Sequence, residues 1–295
     1  MTDILRIARG GPTKLSFARQ ESDPQVADDL DSRSANFFEF RDVCKAFDER
    51  PVLDHVSFTV KQGETCVIMG RSGVGKSVTL KHLMGFLKAD SGRVIIDGED
   101  VTDYTEEQFA EVRRKVTMVF QSGALFDSLT VRENISFPLD GQPGLTAKDV
   151  DEYVAKIAHM LEVEHVLDKP PSELSTGMKR AVAIGRAFAQ NPEAILYDEP
   201  TTMVDPLMAH LLGDLIKKLK KQLKLTSIVV THDMALAKKL ADRLVFLHEA
   251  RVIFFGTFAE MARSKEPIVQ EFLELDSLDF EAYFGAQRPP HAARP

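Results

Sequence analysis

The sequence predicts an α/β fold in which a parallel β-sheet is covered on both faces. Residues 66–69 are a short apolar run, typical of a strand buried on both sides, and a glycine-rich turn and a helix start follow it. Residues 194–197 form a second apolar run that ends in Asp198 and Glu199. Residues 145–189 show helical periodicity, broken at Lys169-Pro170-Pro171. These stretches together predict two halves of a sheet separated by a helical insert.

Length and composition restrict the class of protein. The chain has 295 residues and is 44% hydrophobic, enough for one large domain or two ordinary ones. Its net charge of −8 argues against a nucleic-acid binder, because phosphate backbones select basic surfaces. No window approaches 18 consecutive apolar residues, and the first residues lack the apolar core of a secretory signal. We therefore expect a cytoplasmic protein with neither a membrane span nor a leader.

The amino-terminal part of the chain divides into two regions. Residues 1–36 mix opposite charges and show no sustained period, which predicts a mobile extension. A β-rich layer follows and leads into the glycine-rich turn. Its predicted strands are Phe37–Arg41, Val52–Leu53, Val56–Val60, Thr65–Met69 and Arg93–Ile96.

The glycine-rich turn has the pattern of a phosphate-binding loop. Gly70, Gly75, Lys76 and Ser77 satisfy G-x-x-x-x-G-K-[ST], and Gly73 adds a third residue without a Cβ. Backbone N–H groups of such a loop curl around phosphates, the lysine reaches the β- and γ-phosphates, and the serine ligates Mg²⁺. A chance match is the alternative, but the strand before and the helix after the turn favour the loop. The predicted nucleotide-binding residues are Gly70, Arg71, Ser72, Gly73, Val74, Gly75, Lys76, Ser77 and Val78.

Three further strand ends carry polar residues that suit the same chemistry. Asp198 is predicted to hold Mg²⁺, and Glu199 to act as the general base that polarises the attacking water. Gln121, after the strand Val116–Phe120, can ligate Mg²⁺ or orient water, and His232, after Thr226–Val230, faces the ligand edge of the sheet. Each residue alone is a weak signal, since acids and amides are common in surface turns.

Other candidates allow a structural or a functional interpretation. Ser175 and Gly177 begin a helix that runs to about Ala189, either as a simple cap or as an anion site. Phe47 is either a core residue or a ring that stacks on adenine. Asp205-Pro206 begins a helix to about Leu223.

The two cysteines, Cys44 and Cys66, lie on or beside predicted core strands without metal-ligand spacing. They are expected to be buried free thiols.

In order and spacing, GRSGVGKS, Gln121, LSTGM, ILYDEP, the aspartate of TTMVD and THD resemble the ATPase subunit of an ABC transporter. The resemblance covers residues 37 to about 275. It implies a RecA-like core with an antiparallel β subdomain and a helical subdomain at about 122–189, all within an ATPase domain of residues 37–257. Residues 258–295 would be a carboxy-terminal helix and tail.

The resemblance also implies a role for each site residue. Two copies sandwich two ATP molecules, each between the phosphate loop of one copy and the LSxG signature of the other. Lys76, Ser77 and the loop amides bind phosphate and Mg²⁺, and Asp198 supports Mg²⁺. The other implied roles are adenine stacking for Phe47, Mg²⁺ sensing and permease coupling for Gln121, the base for Glu199, γ-phosphate contact for His232, action in trans for Ser175 and Gly177, and a dimer bridge for Asp205.

A narrower resemblance lies in residues 120–139, FQSGALFDSLTVRENISFPL, and residues 172–187, SELSTGMKRAVAIGRA. These are similar to the ATPases of Mce/Mla-type systems, which move phospholipids or other hydrophobic molecules across the envelope of diderm bacteria. This likeness implies a permease dimer, a periplasmic Mce-domain lipid-binding protein and a small STAS-domain regulator. It also implies a peripheral position on the cytoplasmic face of the inner membrane.

The chain departs from the common ABC pattern at the dimer seam. Thr176 replaces the first glycine of the signature pair, Met178 its usual glutamine, and Met203 and Val204 replace the Gly-Leu before Asp205. These changes concern closure and hydrolysis rate rather than ATP binding. Three alternatives follow: a different cargo, a nucleotide-gated module that scarcely turns over, and a soluble ABC protein acting on nucleic acid or ribosomes. The last is disfavoured by the lone cassette without heptads.

Overall fold

The computed structural model describes residues 36–142 and 144–274. The predicted extension, apart from Asn36, and the distal tail from residue 275 onward lie outside the described residues. The strands are β1 (Asn36–Phe47), β2 (Arg50–Lys61), β3 (Thr65–Met69), β4 (Ser91–Ile96), β5 (Glu99–Asp100), β6 (Val116–Val119), β7 (Ala194–Asp198), β8 (Thr226–Val230), β9 (Arg243–His248) and β10 (Arg251–Gly256). The helices are α1 (Lys76–Leu83), α2 (Glu106–Lys115), α3 (Val131–Ser136), α4 (Ala147–Leu161), α5 (Thr176–Ala189), α6 (Pro206–Leu223), α7 (Met234–Leu240) and α8 (Phe258–Met261), and residues 267–274 are also helical.

A six-stranded sheet forms the centre of the described fold, in the order β10-β9-β3-β8-β7-β6. All of its neighbours are parallel except β9 and β10. Alternate residues of β3 enter two different hydrophobic clusters, because successive side chains of a strand point to opposite faces. This double burial explains the uninterrupted apolar run at residues 66–69 and confirms the predicted α/β class.

A four-stranded antiparallel sheet, β2-β1-β4-β5, packs beside the first. Its strands are longer than predicted: β1 continues to Phe47, and β2 spans the predicted gap at Asp54 and His55. Both extensions come from cross-strand pairing that passes through bulges, which a single-strand pattern does not reveal.

The helical insert is made of α3, α4 and α5, with turns rather than continuous helix between residues 162 and 175. Thr146 caps α4 and Ser175 caps α5, each accepting a hydrogen bond from the N–H three residues on. The buried faces of α4 and α5 meet at Gly185, where an added Cβ would lie 2.6 Å from Leu161 Cδ1. The helix glycine therefore serves close packing, one of the two explanations the sequence left open.

Candidate nucleotide site

The loop between β3 and α1 has the backbone shape that its glycines allow. Gly70, Gly73 and Gly75 have φ values of 143°, 82° and 104°, a region that favours glycine. A Cβ on Gly70 or Gly75 would also come closer than 3.0 Å to the carbonyl oxygens of Leu247 and Val52, respectively. Two of the three glycines are thus fixed by both conformation and contact, and the third by conformation alone.

Lys76 begins α1 and its ammonium group is buried under the loop. Its Nζ donates hydrogen bonds to the carbonyl oxygens of Gly70 at 2.8 Å and Arg71 at 3.1 Å. Oε1 of Glu199 lies 3.6 Å from the same nitrogen, and the lysine side chain is only 6% exposed. A positive charge is therefore held at the mouth of the loop, where phosphate would lie.

Ser77 and Asp198 come together from different segments of the chain. The Ser77 hydroxyl donates a 2.8 Å hydrogen bond to Oδ1 of Asp198 at the carboxyl end of β7. Burial raises the pKa of Asp198, the Ser77 hydrogen bond opposes this shift, and the nearby negative charge of Glu199 adds to it. A buried carboxylate with this bias gains from a cation beside it, and hydroxyl and carboxylate oxygens are ligands that Mg²⁺ prefers.

Glu199 is ordered by three contacts. Its backbone N–H donates to the Val230 carbonyl at 2.9 Å, with a φ of 47° that turns the chain at the end of β7. Its Oε2 accepts the Thr202 hydroxyl at 3.0 Å and lies 2.9 Å from Nδ1 of His232. With Nδ1 donating to the carboxylate, Nε2 of the exposed His232 ring is left toward solvent. The geometry holds a carboxylate near Lys76 with one side chain able to report on a ligand.

Gln121 and Phe47 lie at the edges of this cluster. Val119 pairs with Tyr197 across the parallel β6 and β7, so Gln121 follows at the height of Glu199, with its side chain exposed. No hydrogen bond among the described residues joins it to Ser77 or Asp198. Phe47 is 42% exposed at the end of β1. The core interpretation of Phe47 is therefore wrong, and an accessible ring remains available for stacking.

The signature residues make their own local contacts. Ser175 caps α5 by accepting the Met178 N–H at 3.3 Å, and Asp205 caps α6 by accepting the Met208 N–H at 3.0 Å. A Cβ on Gly177 would lie 2.8 Å from Cε of Met208, so the start of α5 packs against the first turn of α6. Within the described part of the chain, no hydrogen bond or ion pair joins Ser175 to the phosphate loop. One copy therefore brings together the loop and the β7 carboxylates but not the signature.

Some contacts at the site were missed by the sequence reasoning. Arg71 of the loop forms a 3.1 Å ion pair with Glu271, two hundred positions away in the carboxy-terminal helical segment. Thr202 and Met208 lie close to predicted residues but carry no motif of their own. Nothing in a local pattern gives these partners, because each depends on how distant elements pack.

The cysteines behave differently from each other. Both are free thiols, as predicted, but only Cys66 is fully buried, and burial raises the pKa of its thiol. Cys44 is half-buried on β1, so the expectation of a core position is wrong for it.

These contacts define a P-loop nucleotide site, and comparisons with known proteins identify the class more closely. A family model described as ABC transporter matches residues 53–202, just over half of the chain. The chain belongs to the ABC transporter family and is an ATPase of that family. Across residues 36–142 and 144–274, no helix combines the length and apolar composition needed to cross a bilayer.

Two curated relatives and one solved structure illustrate the similarity. Protein TRIGALACTOSYLDIACYLGLYCEROL 3, chloroplastic, of Arabidopsis thaliana is 37% identical over 260 residues, covering 82% of this chain and 75% of that protein. The intermembrane phospholipid transport system ATP-binding protein MlaF of Haemophilus influenzae is 34% identical, covering 82% and 92%. The dimeric, ADP- and phosphate-bound ATP-binding cassette MJ0796 superimposes with a TM-score of 0.69 at 31% identity, covering 75% and 98%.

Proposed function

We propose that this chain is the ATP-hydrolysing subunit of a transporter that moves phospholipid or another hydrophobic molecule across a bacterial envelope. The observation that carries the chemistry is the convergence of Lys76, Ser77, Asp198 and Glu199 at one edge of the sheet. The relative named for intermembrane phospholipid transport supports the cargo class.

ATP and Mg²⁺ fit the donor set at the loop. The loop amides and Lys76 bind the phosphates, while Ser77 and Asp198 hold Mg²⁺, with Gln121 as a further oxygen ligand from β6. When bound, Mg²⁺ neutralises negative charge on the phosphates. The raised pKa of Asp198 is consistent with this assignment, because the buried carboxylate otherwise has only a hydroxyl as its close partner.

Glu199 acts as the general base of hydrolysis. Its carboxylate accepts a proton from the attacking water, and Thr202 and His232 hold it in position for that step. His232 also contacts the γ-phosphate through its remaining ring nitrogen. Phe47 stacks on the adenine from the end of β1.

The site is completed by a second copy of the chain. Ser175 and Gly177 lie at the start of α5, where the helix amino terminus and hydroxyl can face the phosphates bound by the partner copy. Asp205 bridges the two copies. The dimeric arrangement of MJ0796 supports this proposal.

A permease dimer docks on a groove between the helical insert and the core. The groove has a volume of about 360 Å³ and exposes Phe86, Phe126 and Phe137 at 48%, 41% and 47%. Arg113 and Arg186 lie over two of these rings, each 5.2 Å from a ring centroid. Exposed aromatic side chains around a groove suit an apolar helix face. The groove also includes the end of β6, just before Gln121, which connects it to the nucleotide site.

The complete assembly includes partners beyond the permease. We place the chain on the cytoplasmic face of the inner membrane, held there by the permease, with an Mce-domain lipid-binding protein and a STAS-domain regulator. These partners are proposed from the Mce/Mla resemblance and from the relatives' role in phospholipid transport.

Glu199→Gln tests the chemistry. In the complex purified with its permease, turnover should fall by about 10² or more while ATP binding remains, because a general base contributes about that factor. Glu107→Gln, in the exposed first turn of α2, is the matched control and should retain full turnover. Normal turnover in Glu199→Gln would contradict the base assignment.

The cargo is tested by the lipids of the purified complex. Phospholipid should co-purify with the assembled transporter and stimulate its ATPase. Stimulation by a hydrophilic solute but not by lipid would favour a transporter for a different cargo.

A further inference from the structure

The antiparallel sheet contains a bulge that brings three potential metal ligands together. Val43 pairs with Val56 and Lys45 with Leu53, so Cys44 alone on β1 lies opposite both Asp54 and His55 on β2. A bulge of this kind re-aims side chains that would otherwise alternate between the faces of the sheet. His55 adopts a φ of 53°, in the left-handed region where histidine is one of the more tolerated residues.

The re-aimed side chains converge. One ligand atom from each of Cys44, Asp54 and His55 lies within 4.8 Å of the others. Sulfur, imidazole nitrogen and carboxylate oxygen are the donors that Zn²⁺ uses, and three protein ligands with an open fourth position are an established zinc arrangement. Only small side-chain movements are needed to reach ligand distances of about 2.0 to 2.3 Å.

The neighbours of the cluster orient its ligands. Oδ1 of Asp42 lies 2.8 Å from Nδ1 of His55, so that nitrogen donates to the carboxylate and Nε2 carries the lone pair. Nε2 in turn lies 3.8 Å from Oδ1 of Asp54. Arg251 binds the other oxygen, Oδ2, at 2.6 Å. A carboxylate behind a histidine is a common outer partner of metal-bound imidazole, where it fixes the tautomer.

We propose that Cys44, Asp54 and His55 form a binding site for a borderline divalent cation of the Zn²⁺ class, separate from the nucleotide site. The ligands are the Cys44 thiolate, Nε2 of His55 and Oδ1 of Asp54, with water in the remaining position. Binding releases the thiol proton to solvent, since the thiolate is the ligand. Ions enter from solvent, because the side chains of His55 and Asp42 are 65% and 70% exposed.

Cobalt absorption tests the ligand set directly. Co²⁺ added to the purified full-length chain without nucleotide should produce a near-ultraviolet thiolate charge-transfer band that Zn²⁺ abolishes. Cys44→Ser should remove the band. His55→Asn, which keeps a residue tolerant of the left-handed backbone, should weaken Co²⁺ binding by about tenfold or more. Cys66→Ser is the matched control and should keep the band, because Cys66 is fully buried. Absence of the band in the unaltered chain, or its persistence in Cys44→Ser, would overturn the proposal.

Alkylation provides a second readout on the unaltered protein. One equivalent of Zn²⁺ should slow iodoacetamide modification of Cys44 by about tenfold or more, since metal-bound thiolate is withdrawn from reaction. Mg²⁺ should give no protection, because it prefers oxygen ligands. Equal rates with and without Zn²⁺ would refute the site. Neither experiment depends on ATP hydrolysis, so its failure would leave the proposed function untouched.

Discussion

Gly75 and Gly73 lie in the same loop but should respond differently to alanine. Both have positive φ values, 104° and 82°, so each Cβ carries a conformational cost of about 1–2 kcal/mol. At Gly75 the Cβ would also press against the Val52 carbonyl oxygen and would lie 3.0 Å from Cδ2 of Leu53, whereas at Gly73 no atom lies within 4 Å. The Val52 carbonyl belongs to β2, so relief requires backbone movement, and overpacking of this kind costs about 1–3 kcal/mol more.

We therefore expect Gly73→Ala to lower the free energy of unfolding by about 1–2 kcal/mol and Gly75→Ala by about 2–5 kcal/mol. Urea denaturation without nucleotide, followed by circular dichroism, measures both values. Isothermal titration should also show a larger loss of ADP affinity for Gly75→Ala, because its α1 start is displaced. Equal destabilisation by the two substitutions would refute the argument that contact with β2, rather than φ alone, fixes Gly75.

Three further predictions concern the site and the seam. Because burial raises the pKa of Asp198 above its ordinary 3.8, the folded state keeps this proton where the unfolded chain has lost it, and stability falls as pH rises through that interval; Asp198→Asn should remove this fall and raise the urea midpoint at pH 7, while abolishing ATPase activity. An unchanged midpoint would contradict the cost of the buried charge. Phe47→Ala should weaken ATP binding by about 1–3 kcal/mol in titration calorimetry, the usual contribution of stacking on a base, whereas Phe86→Ala in the permease groove should leave it unchanged; equal affinities would exclude stacking. Gly177→Ala, whose Cβ meets Met208, should reduce turnover without reducing ATP binding, and adding Met208→Ala should restore part of it; no recovery would show that the contact is not the cause.

Local patterns predicted the elements whose residues are locally constrained. The strand at residues 65–69 and the helix that follows were predicted because the apolar run, the glycines and Lys76 each have a local physical reason. The strand at 226–230 has the same bounds in sequence and structure, because it is buried on both faces and ends in a turn.

Long-range pairing limited what the sequence could give. Phe47 ends a strand that continues beyond the predicted Arg41 because β2 pairs along its whole length. Cys44 is not a core residue because a bulge on β2 sets the local register, and the same bulge brings Asp54 and His55 to its side. The Arg71–Glu271 ion pair depends on folding of the carboxy-terminal segment against the core, which no local pattern specifies.

The composite site is the central claim, and complementation between two inactive variants tests it most directly. Lys76→Ala impairs the phosphate loop, and Ser175→Arg blocks the signature. In a mixed dimer both lesions fall in one site, which leaves the other site intact. Randomly paired copies, reconstituted with the permease, should recover up to about a quarter of the wild-type single-turnover ATP hydrolysis. A mixture no more active than either variant alone would contradict a site shared between two copies.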